Sequence, residues 1–533
     1  MEDEQIQLMW ILFVVLLAQS ANCLCPTQCV CDDTSLKVSC NAANLEVIPI
    51  QLNPAVQIID LAENKITDIH FTLSIYTNLM ELDLSKNYIE SLGSSNFELQ
   101  CNLKVLNLGY NIIHSLMKDS FKGLKSLVIL DLSFNNLKEL PVAAFKELQN
   151  LIVLKVNSNR LEYLEAGLLK YTRQLQKLYL NDNQLLQIPG NAISEGIKLR
   201  YLSLSQNLME YIEEEAMPFL PELRVLLLNT NVINYMNPSA LSNLESLEVL
   251  DLSDNNFTVI PTDSLSKLSN LTKLYLSGNF VQSIPAVAFR GLFRLQYLYL
   301  NRLEVLSHID VRAFVDNICL EKIWLDNNIA FQVLPINIFH GNPKIKEISL
   351  TNNQIPTLDV SHFPLDKLSS LKLGGNPLQC NCSLFWLWKL LQEQKTQEII
   401  NNTQESDLIL DMSNISCAGP EYVLGKLLIQ VKESQVVCSL GWVAIVSVSA
   451  TVVMLFSIII ILLYFGFIKR RLTTNEMQPK AGPSSSHYGN MSVNIPYQEN
   501  TQKRMYTHYP SEYLLPKVND TWTLPPNLMQ ISR

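Results

Sequence analysis

Apolar residues recur along this chain in a short phrase in which leucines alternate with other residues. One copy runs from Leu127 to Asn135 and another from Leu271 to Asn279, and both fit the pattern L-x-x-L-x-L-x-x-N. Two apolar residues that are two positions apart, such as Leu274 and Leu276, point to the same side of a strand, and the residue between them points to the other side. The phrase therefore predicts a short strand with one buried face.

The asparagine that ends each phrase recurs at a nearly constant spacing. Every step from Asn87 to Asn279 is 24 residues. The full ladder comprises Asn64, Asn87, Asn111, Asn135, Asn159, Asn183, Asn207, Asn231, Asn255, Asn279, Asn328, Asn353 and Asn376. The amide side chain can bond backbone groups of its own and the neighbouring coil that would otherwise be buried without partners. Leu303 occupies the ladder position after Asn279, and leucine cannot make these bonds. We therefore expect a bulge or bend in that coil.

The period predicts a stack of similar coils. One coil cannot bury its leucines alone, whereas about fourteen stacked coils share a continuous core. A second apolar position recurs about ten residues beyond the ladder, and we interpret its phenylalanines as spacers in that core: Phe97, Phe121, Phe145, Phe289, Phe314 and Phe339. The predicted fold class is an α/β solenoid, a horseshoe whose concave face is a parallel sheet.

Two longer apolar segments lie outside the repeats. The run from Leu8 to Leu17 is too short to span a bilayer, so residues 1–23 are predicted to be a signal peptide. Residues 434–468 carry no charge, and Lys469-Arg470-Arg471 follows directly. This arrangement predicts a transmembrane helix over 441–468 with its positive end inside. The polar residues 469–533 then form a disordered cytoplasmic tail, in a single-pass type I protein of the plasma membrane with its N-terminus outside.

Eight of the eleven cysteines form two clusters that flank the repeats. They are Cys25, Cys29, Cys31 and Cys40 on one side and Cys380, Cys382, Cys417 and Cys438 on the other. Zinc is the alternative for such clusters, but a secretory context and the two ends of a solenoid favour disulfide-bonded caps. We assign the caps to residues 24–54 and 376–438, and the repeats to 55–375.

Two further cysteines lie within the repeats. Cys101 and Cys319 are nine repeats apart. That separation is too large for a disulfide within one solenoid, because a disulfide requires Cα atoms within about 7 Å. We expect buried free thiols, with an intermolecular bridge as the alternative.

Composition and motifs exclude several classes of function. The formal net charge is −10, although the residues after 468 include eight basic and four acidic side chains. The extracellular part is therefore acidic, which argues against nucleic-acid binding through bulk charge. The seven histidines are scattered, and no zinc-protease motif, nucleophile elbow or phosphate loop is present. We predict that the protein is not an enzyme and uses no cofactor or metal.

The residue between the two inward leucines of each phrase should form a column across the concave face. Tyr and Trp side chains exposed in such a column are typical anchors for a protein partner, although aromatic residues also favour strands without any binding role. The predicted partner-binding residues are Tyr179, Tyr275, Tyr299 and Trp324 in this column, with Tyr201 and Tyr297 one strand position earlier on the same face.

Short motifs predict modification and adaptor binding. Four Asn-x-Ser/Thr sequons are predicted glycosylation sites: Asn256, Asn270, Asn401 and Asn414. Asn381 also matches, but it lies between two cap cysteines. In the tail, the segment from Tyr488 to Met491 fits a phosphotyrosine motif for an SH2 domain and equally an endocytic Tyr-x-x-apolar signal. An SH2 or endocytic adaptor is therefore a possible cytoplasmic partner.

The repeats and the two cysteine clusters together resemble a known family. The segments Cys25-Pro-Thr-Gln-Cys29-Val-Cys31 and Asn376-Pro-Leu-Gln-Cys380-Asn-Cys382, with the repeats between them, are similar to extracellular leucine-rich-repeat proteins with one membrane pass. Examples are the Capricious and Tartan pair of insects and the leucine-rich-repeat transmembrane neuronal proteins of vertebrates. The resemblance implies the disulfides Cys25–Cys31, Cys29–Cys40, Cys380–Cys417 and Cys382–Cys438.

The same resemblance implies a function. Such proteins bind a protein ligand or another cell-surface protein, and they mediate cell–cell recognition or adhesion. The alternative is a receptor or co-receptor for a secreted ligand that signals through tail tyrosines.

Overall fold

A computed structural model describes residues 25–401, 408–411, 414–437 and 442–473. The chain divides into two compact units, Met1–Ser439 and Leu440–Arg533. The predicted signal peptide, Cys438 and most of the predicted tail, with Tyr488, lie outside the described residues.

A parallel sheet of short strands, one from each coil, forms one face of the first unit. Seventeen strands join this sheet in the part of the chain that the structure describes. In chain order they are β1 (Val30–Asp32), β2 (Lys37–Ser39), β3 (Ile58–Asp60), β4 (Glu81–Asp83), β5 (Val105–Asn107), β6 (Ile129–Asp131), β7 (Val153–Lys155), β8 (Lys177–Tyr179), β9 (Tyr201–Ser203), β11 (Val225–Leu227), β13 (Val249–Asp251), β14 (Lys273–Tyr275), β16 (Tyr297–Tyr299), β18 (Lys322–Trp324), β19 (Glu347–Ser349), β20 (Ser370–Lys372) and β22 (Ile409–Leu410). Successive strands pair in parallel, apart from the antiparallel hairpin of β1 and β2. The predicted leucine-rich-repeat solenoid with a parallel sheet is confirmed.

Shorter elements lie on the other side of several coils, and the longer helices follow the repeats. The remaining strands are β10 (Tyr211–Ile212), β12 (Tyr235–Met236), β15 (Ser283–Ile284), β17 (His308–Ile309), β21 (Leu378–Gln379) and β23 (Cys417–Gly419). The α-helices are α1 (Gly190–Ile193), α2 (Thr262–Leu265), α3 (Phe385–Asn401), α4 (Glu433–Val436) and α5 (Trp442–Thr473). Single 3₁₀ turns occur at Thr72–Ile75, Val142–Phe145, Leu168–Lys170, Val360–His362, Cys382–Leu384, Glu421–Val423 and Leu428–Gln430.

The ladder asparagines are buried and bond as the sequence predicts, except that Nδ2 of Asn328 has no hydrogen-bond partner among the described residues. The Nδ2 atom of Asn135 donates to the carbonyl oxygens of Leu108, Leu132 and Ser133 at 3.0, 3.1 and 3.1 Å. Its Oδ1 atom accepts a hydrogen bond from the Ile113 amide at 3.0 Å. Each side chain thus joins two neighbouring coils and supplies partners to backbone groups that water cannot reach.

Leu303 changes this bonding pattern without interrupting the sheet. Its side chain is fully buried, and its own amide donates to Oδ1 of Asn328 at 2.7 Å. In earlier coils the donor to the next asparagine is instead the residue two positions after the ladder. The register from Tyr299 to Trp324 continues across this coil. The expected bulge is therefore absent from the sheet, because the backbone finds an amide partner in the next coil and the leucine fills apolar space.

Phenylalanines form a buried spine opposite the sheet. Phe289 and Phe314 have ring centroids 5.8 Å apart, and Phe314 and Phe339 have centroids 6.0 Å apart. All three side chains are fully buried. Their interpretation as spacers in the core agrees with this packing.

Both ends of the solenoid carry disulfides. Cys25 is bonded to Cys31, Cys29 to Cys40, and Cys380 to Cys417, which are pairs that the resemblance implies. Cys382 is also disulfide-bonded, and Cys438, the partner implied for it, lies outside the described residues. At the C-terminal end, the carboxylate of Asp411 accepts from the amides of Leu373 and Gly374, and so closes the last coil.

The two cysteines within the repeats are both free. Cys101 is exposed, and Cys319 is half-buried beside the ammonium group of Lys344 at 3.4 Å. The expectation that both thiols are buried is therefore wrong, because each lies on the outer surface of its coil.

The second unit contains α5, a helix with a long apolar stretch. Residues Val446–Gly466 span 21 residues with mean hydropathy 2.8, and none of this stretch is buried. At 1.5 Å per residue, this length is sufficient for a hydrocarbon core of about 30 Å.

Candidate protein-binding surface

Three aromatic rings stack on neighbouring strands of the concave sheet. Tyr275, Tyr299 and Trp324 are register partners on β14, β16 and β18. The centroids of Tyr275 and Tyr299 are 4.2 Å apart with an interplanar angle of 8°, and those of Tyr299 and Trp324 are 4.3 Å apart with an angle of 3°. We call these three residues the aromatic ridge. Parallel-strand spacing of about 4.8 Å is close to a stacking distance, which explains the alignment.

The stacking determines which parts of the ridge a partner can contact. Both faces of the Tyr299 ring are covered by its neighbours, so each ridge side chain is half-buried rather than fully exposed. Burial, and then the neighbouring Tyr275, raises the pKa of the Tyr299 hydroxyl. That hydroxyl therefore remains a hydrogen-bond donor at neutral pH. A partner can contact ring edges, hydroxyls and the two end faces, which are those of Tyr275 and Trp324.

Charged side chains lie beside the ridge. Lys273 places its Nζ atom 5.3 Å from the centre of the Tyr297 ring, a cation–π geometry. Glu347 bonds both Lys322 and Lys372 at 3.0 Å. Burial raises the pKa of Glu347, but the two lysines outweigh it and the net pKa is lowered. Glu347 is therefore ionised, and its charge is already paired with those of Lys322 and Lys372.

A second aromatic group lies farther toward the N-terminus. Tyr179 and Tyr201 have ring centroids 4.9 Å apart, and Tyr110 stacks on Phe134 at 4.0 Å with an interplanar angle of 8°. All four line a concave depression of about 780 Å³ that extends to Asp251. The sequence did not identify Tyr110 and Phe134 as candidates, because only residues on the strands of the concave face were considered.

Tyr110 and Phe134 belong to a different column, directly before the ladder asparagine. Their φ angles are 55° and 54°, which is the left-handed region that non-glycine residues rarely adopt. The equivalent position is left-handed in most coils, so it turns the side chain toward the rim of the sheet. The fixed spacing of this position from the ladder asparagine is the signal in the sequence that could have identified Tyr110 and Phe134.

The six predicted residues thus form two groups rather than one patch. The strands β9, β11 and β13 separate Tyr179 from Tyr275, and their central residues are Ser203, Leu227 and Asp251. These three residues line the C-terminal part of the depression.

One ion pair crosses a coil at the rim of the ridge. Arg302 bonds Asp254 at 2.9 Å, although Gly278 belongs to the coil between them. Gly278 has φ +69°, and a Cβ atom there would lie 2.0 Å from Oδ1 of Asp254. Glycine is therefore required at this position, both for the left-handed backbone and for the passage of the arginine.

The predicted glycosylation sites differ in accessibility. Asn256 and Asn414 are exposed. Asn270 is half-buried, and its Nδ2 atom, to which a glycan would be attached, donates to the Glu245 carbonyl at 2.8 Å. Asn401 is the last residue of α3. A glycan at Asn270 would replace one of the two hydrogens on this nitrogen, and the other hydrogen can still be donated.

No group of three His, Cys, Asp or Glu side chains is arranged to hold a metal ion among the residues that the structure describes.

The chain matches the model of the leucine rich repeat family at residues 77–137, 125–185, 173–233, 221–281, 245–302, 269–329 and 318–378. Oligodendrocyte-myelin glycoprotein from Homo sapiens is 38% identical over 93 residues, which are 17% of this chain and 21% of that protein. The NT-3 growth factor receptor of Pan troglodytes is 29% identical over 138 residues, 25% of this chain and 16% of the receptor. The matches thus cover about a fifth or less of these relatives.

Two solved complexes contain chains with a similar fold. A chain of the LRIM1/APL1C complex has a TM-score of 0.56 and 20% identity, over 85% of this chain and 78% of that chain. A chain of the Toll–Spatzle complex from Drosophila has a TM-score of 0.55 and 20% identity, over 73% of this chain and 58% of that chain. At this identity the likeness concerns the fold.

Proposed function

The chain belongs to the leucine rich repeat family, and we propose that it is a cell-surface protein that binds another protein through its concave sheet. Its likeness to Capricious, Tartan and the leucine-rich-repeat transmembrane neuronal proteins is part of this proposal, with cell–cell recognition or adhesion as the role. The proposed organisation is a signal peptide (1–23), two caps (24–54 and 376–438) around the repeats (55–375), a membrane helix (441–468) and a cytoplasmic tail (469–533) in a type I arrangement.

The aromatic ridge carries this proposal. Tyr and Trp are the side chains that most often dominate the free energy of protein–protein binding. The ridge is also rigid before binding, because each ring is held by the next at 4.2 to 4.3 Å. A partner that packs against it immobilises few additional rotamers, and the entropy cost of association is correspondingly small.

The relatives support protein binding in general terms. The Toll chain of similar fold is in complex with Spatzle, and LRIM1 is in complex with APL1C. Neither complex identifies a partner for this chain. An unbiased panel of cell-surface and secreted proteins is therefore the appropriate set of ligands for a first test.

Replacing both Tyr299 and Trp324 with alanine should weaken partner binding at least about a hundredfold. Each anchor of this type contributes roughly 2 kcal/mol or more, and 1.4 kcal/mol is a factor of ten in affinity. Cells that display the full chain or the double variant are exposed to the panel and to cells that display the same chain, and the dissociation constant of each binder is measured.

Tyr163→Ala is the matched control for this measurement. Tyr163 is an exposed tyrosine outside the sheet strands, so its loss should leave affinity within about threefold of wild type. If the double variant reaches the cell surface and retains wild-type affinity, the ridge is not the binding surface.

A receptor that signals through its tail is the second candidate, because one matched relative is a growth factor receptor. Deletion of residues 474–533 should leave cell aggregation unchanged if the protein is an adhesion molecule, since the binding unit and the membrane helix remain. If the protein is a receptor, ligand binding should persist while tyrosine phosphorylation of the chain and of bound adaptors disappears. Measurement of both quantities in the same cells separates the two roles.

A further inference from the structure

Three coils of the concave sheet share an Asp-Leu-Ser unit with the same internal bonding. In each, one carboxylate oxygen of the aspartate accepts from both the amide and the hydroxyl of the serine two residues later. The bonds are 2.8 and 2.6 Å from Ser85 to Asp83, 3.0 and 2.5 Å from Ser133 to Asp131, and 2.9 and 2.5 Å from Ser253 to Asp251. The three units therefore have the same hydrogen bonds to one carboxylate oxygen, and they differ only at the other oxygen.

The second oxygen distinguishes Asp251 from the other two. Oδ2 of Asp83 accepts from Nδ2 of Asn107 at 2.9 Å, and Oδ2 of Asp131 accepts from Nζ of Lys155 at 2.9 Å. In both cases the donor is the register partner on the next strand. Asp251 has Leu227 and Tyr275 as its register partners, and no side chain among the described residues donates to its Oδ2.

The nearby cationic side chains contact other groups instead of Asp251. Arg302 is paired with Asp254 at 2.9 Å. Lys273, on the strand next to Asp251, lies over the Tyr297 ring instead. Asp251 is half-buried, and its Oδ2 atom therefore has no cation or hydrogen-bond donor beside it among the described residues. Burial first, and then Asp254, raises the pKa of this carboxyl, which agrees with the lack of a cation beside it.

The surroundings of Asp251 suit a flat cation. Asp251 lies at the C-terminal end of the concave depression, and its register partner Tyr275 has one ring face covered by Tyr299. The other face points toward the strand of Asp251. A guanidinium group can stack on such a face while it bonds a carboxylate, and it is more weakly hydrated than an ammonium group.

We propose that the partner inserts an arginine side chain into the concave depression, where the Asp251 carboxylate binds the guanidinium group and the free face of Tyr275 stacks on it. This inference rests on the proposed function and adds the chemistry of the partner to it. The depression of about 780 Å³ has room for the inserted side chain and the partner residues next to it.

The test selects peptides from a random dodecapeptide phage library on the full chain in lipid nanodiscs. We expect the selected peptides to contain arginine more often than the library does. The tightest peptide should bind the Asp251→Asn variant at least tenfold more weakly than the wild type. Replacing its arginine with citrulline, which has the same shape without the charge, should cause a similar loss on the wild type and little further loss on the variant.

Asp60→Asn is the matched control. Asp60 occupies the same strand position on β3, and its Oδ2 accepts from the Ser39 hydroxyl, which can also accept from an amide. The affinity of the Asp60→Asn variant for the peptide should equal that of the wild type. Asp251→Asn retains an oxygen for the two Ser253 bonds and removes a half-buried charge, so its thermal stability should not fall. This measurement excludes misfolding as the cause of weak binding.

The outcomes separate the two proposals. Peptides that are weakened by Trp324→Ala, but neither enriched in arginine nor weakened by Asp251→Asn, would overturn the arginine inference and leave the concave binding surface in place. Peptides that are weakened by neither substitution would overturn both proposals. Failure to select any peptide on the wild-type chain would also count against both.

Discussion

Replacing the ladder residue Asn135 with alanine is expected to lower the free energy of unfolding of the repeat unit by about 4 kcal/mol. The substitution removes three bonds donated by Nδ2 and one accepted by Oδ1. Buried groups that lose their partners cost about 1–3 kcal/mol each, partly offset where a group finds another partner or water enters. Alanine supplies neither the hydrogen bonds nor the volume of asparagine, so two neighbouring coils both lose hydrogen bonds and packing.

Asn136→Ala is the matched control, one residue along the chain. Asn136 is half-buried, and its side chain makes no hydrogen bond within the described range, so its loss should change stability by less than about 0.5 kcal/mol. Guanidinium chloride titration of the full chain in detergent, followed by circular dichroism, measures both variants. Equal stabilities of the two variants would mean that the ladder does not hold the coils together.

The coil of Leu303 indicates why alanine at a ladder position should lower stability more than leucine does. There the side chain is fully buried, and the backbone amide has moved to a new acceptor, Asn328. That coil lacks its asparagine but retains both packing and a bonded amide. Alanine at position 135 provides no comparable replacement, because the surrounding bonds are arranged for an amide side chain.

Phe314→Ala is expected to cost about 3–5 kcal/mol, the range for removal of a buried aromatic side chain. The ring packs between Phe289 and Phe339 at 5.8 and 6.0 Å, so its loss leaves a cavity that faces both adjacent coils. In a solenoid, the loss of packing affects mainly the adjacent coils, because each coil contacts only its neighbours. Hydrogen exchange should therefore increase first in the coils that contain these three phenylalanines.

Two further variants define the origin of that effect. Phe314→Leu preserves most of the volume and should cost markedly less than alanine. Phe293→Ala removes a side chain that is 53% exposed in the same region, and it should change stability by less than about 0.5 kcal/mol. A loss below about 1 kcal/mol for Phe314→Ala would show that the spine does not contribute to the stability of the core.

The repeat period made part of the candidate site predictable. Residues 24 or 25 apart fall on adjacent strands, so Tyr275, Tyr299 and Trp324 were expected to be neighbours, and they are. The same arithmetic also separates Tyr179 from Tyr275 by four strand steps, so the six predicted residues fall into two groups. The central residues of the three strands between them are not aromatic: Ser203, Leu227 and Asp251.

Other features of the site could not be predicted from spacing. Arg302 pairs with Asp254 two coils away, across Gly278, whereas the period suggests contact only between adjacent coils. Tyr110 and Phe134 meet at the rim because a left-handed backbone turns both side chains in the same direction. Both arrangements depend on the direction of a side chain as well as on the strand that carries it.

By itself, the sequence determined the solenoid, the buried face of each strand, the asparagine ladder and the neighbours in each column. A repeat of one strand per coil fixes these because register follows directly from the period. The tertiary structure decided which rings stack face to face, how the chain bonds around Leu303 and which of the three matched aspartates has an Oδ2 atom without a donor among the described residues. Those outcomes depend on rotamers and on donors from other coils, so Asp83, Asp131 and Asp251 share one local motif but not one environment.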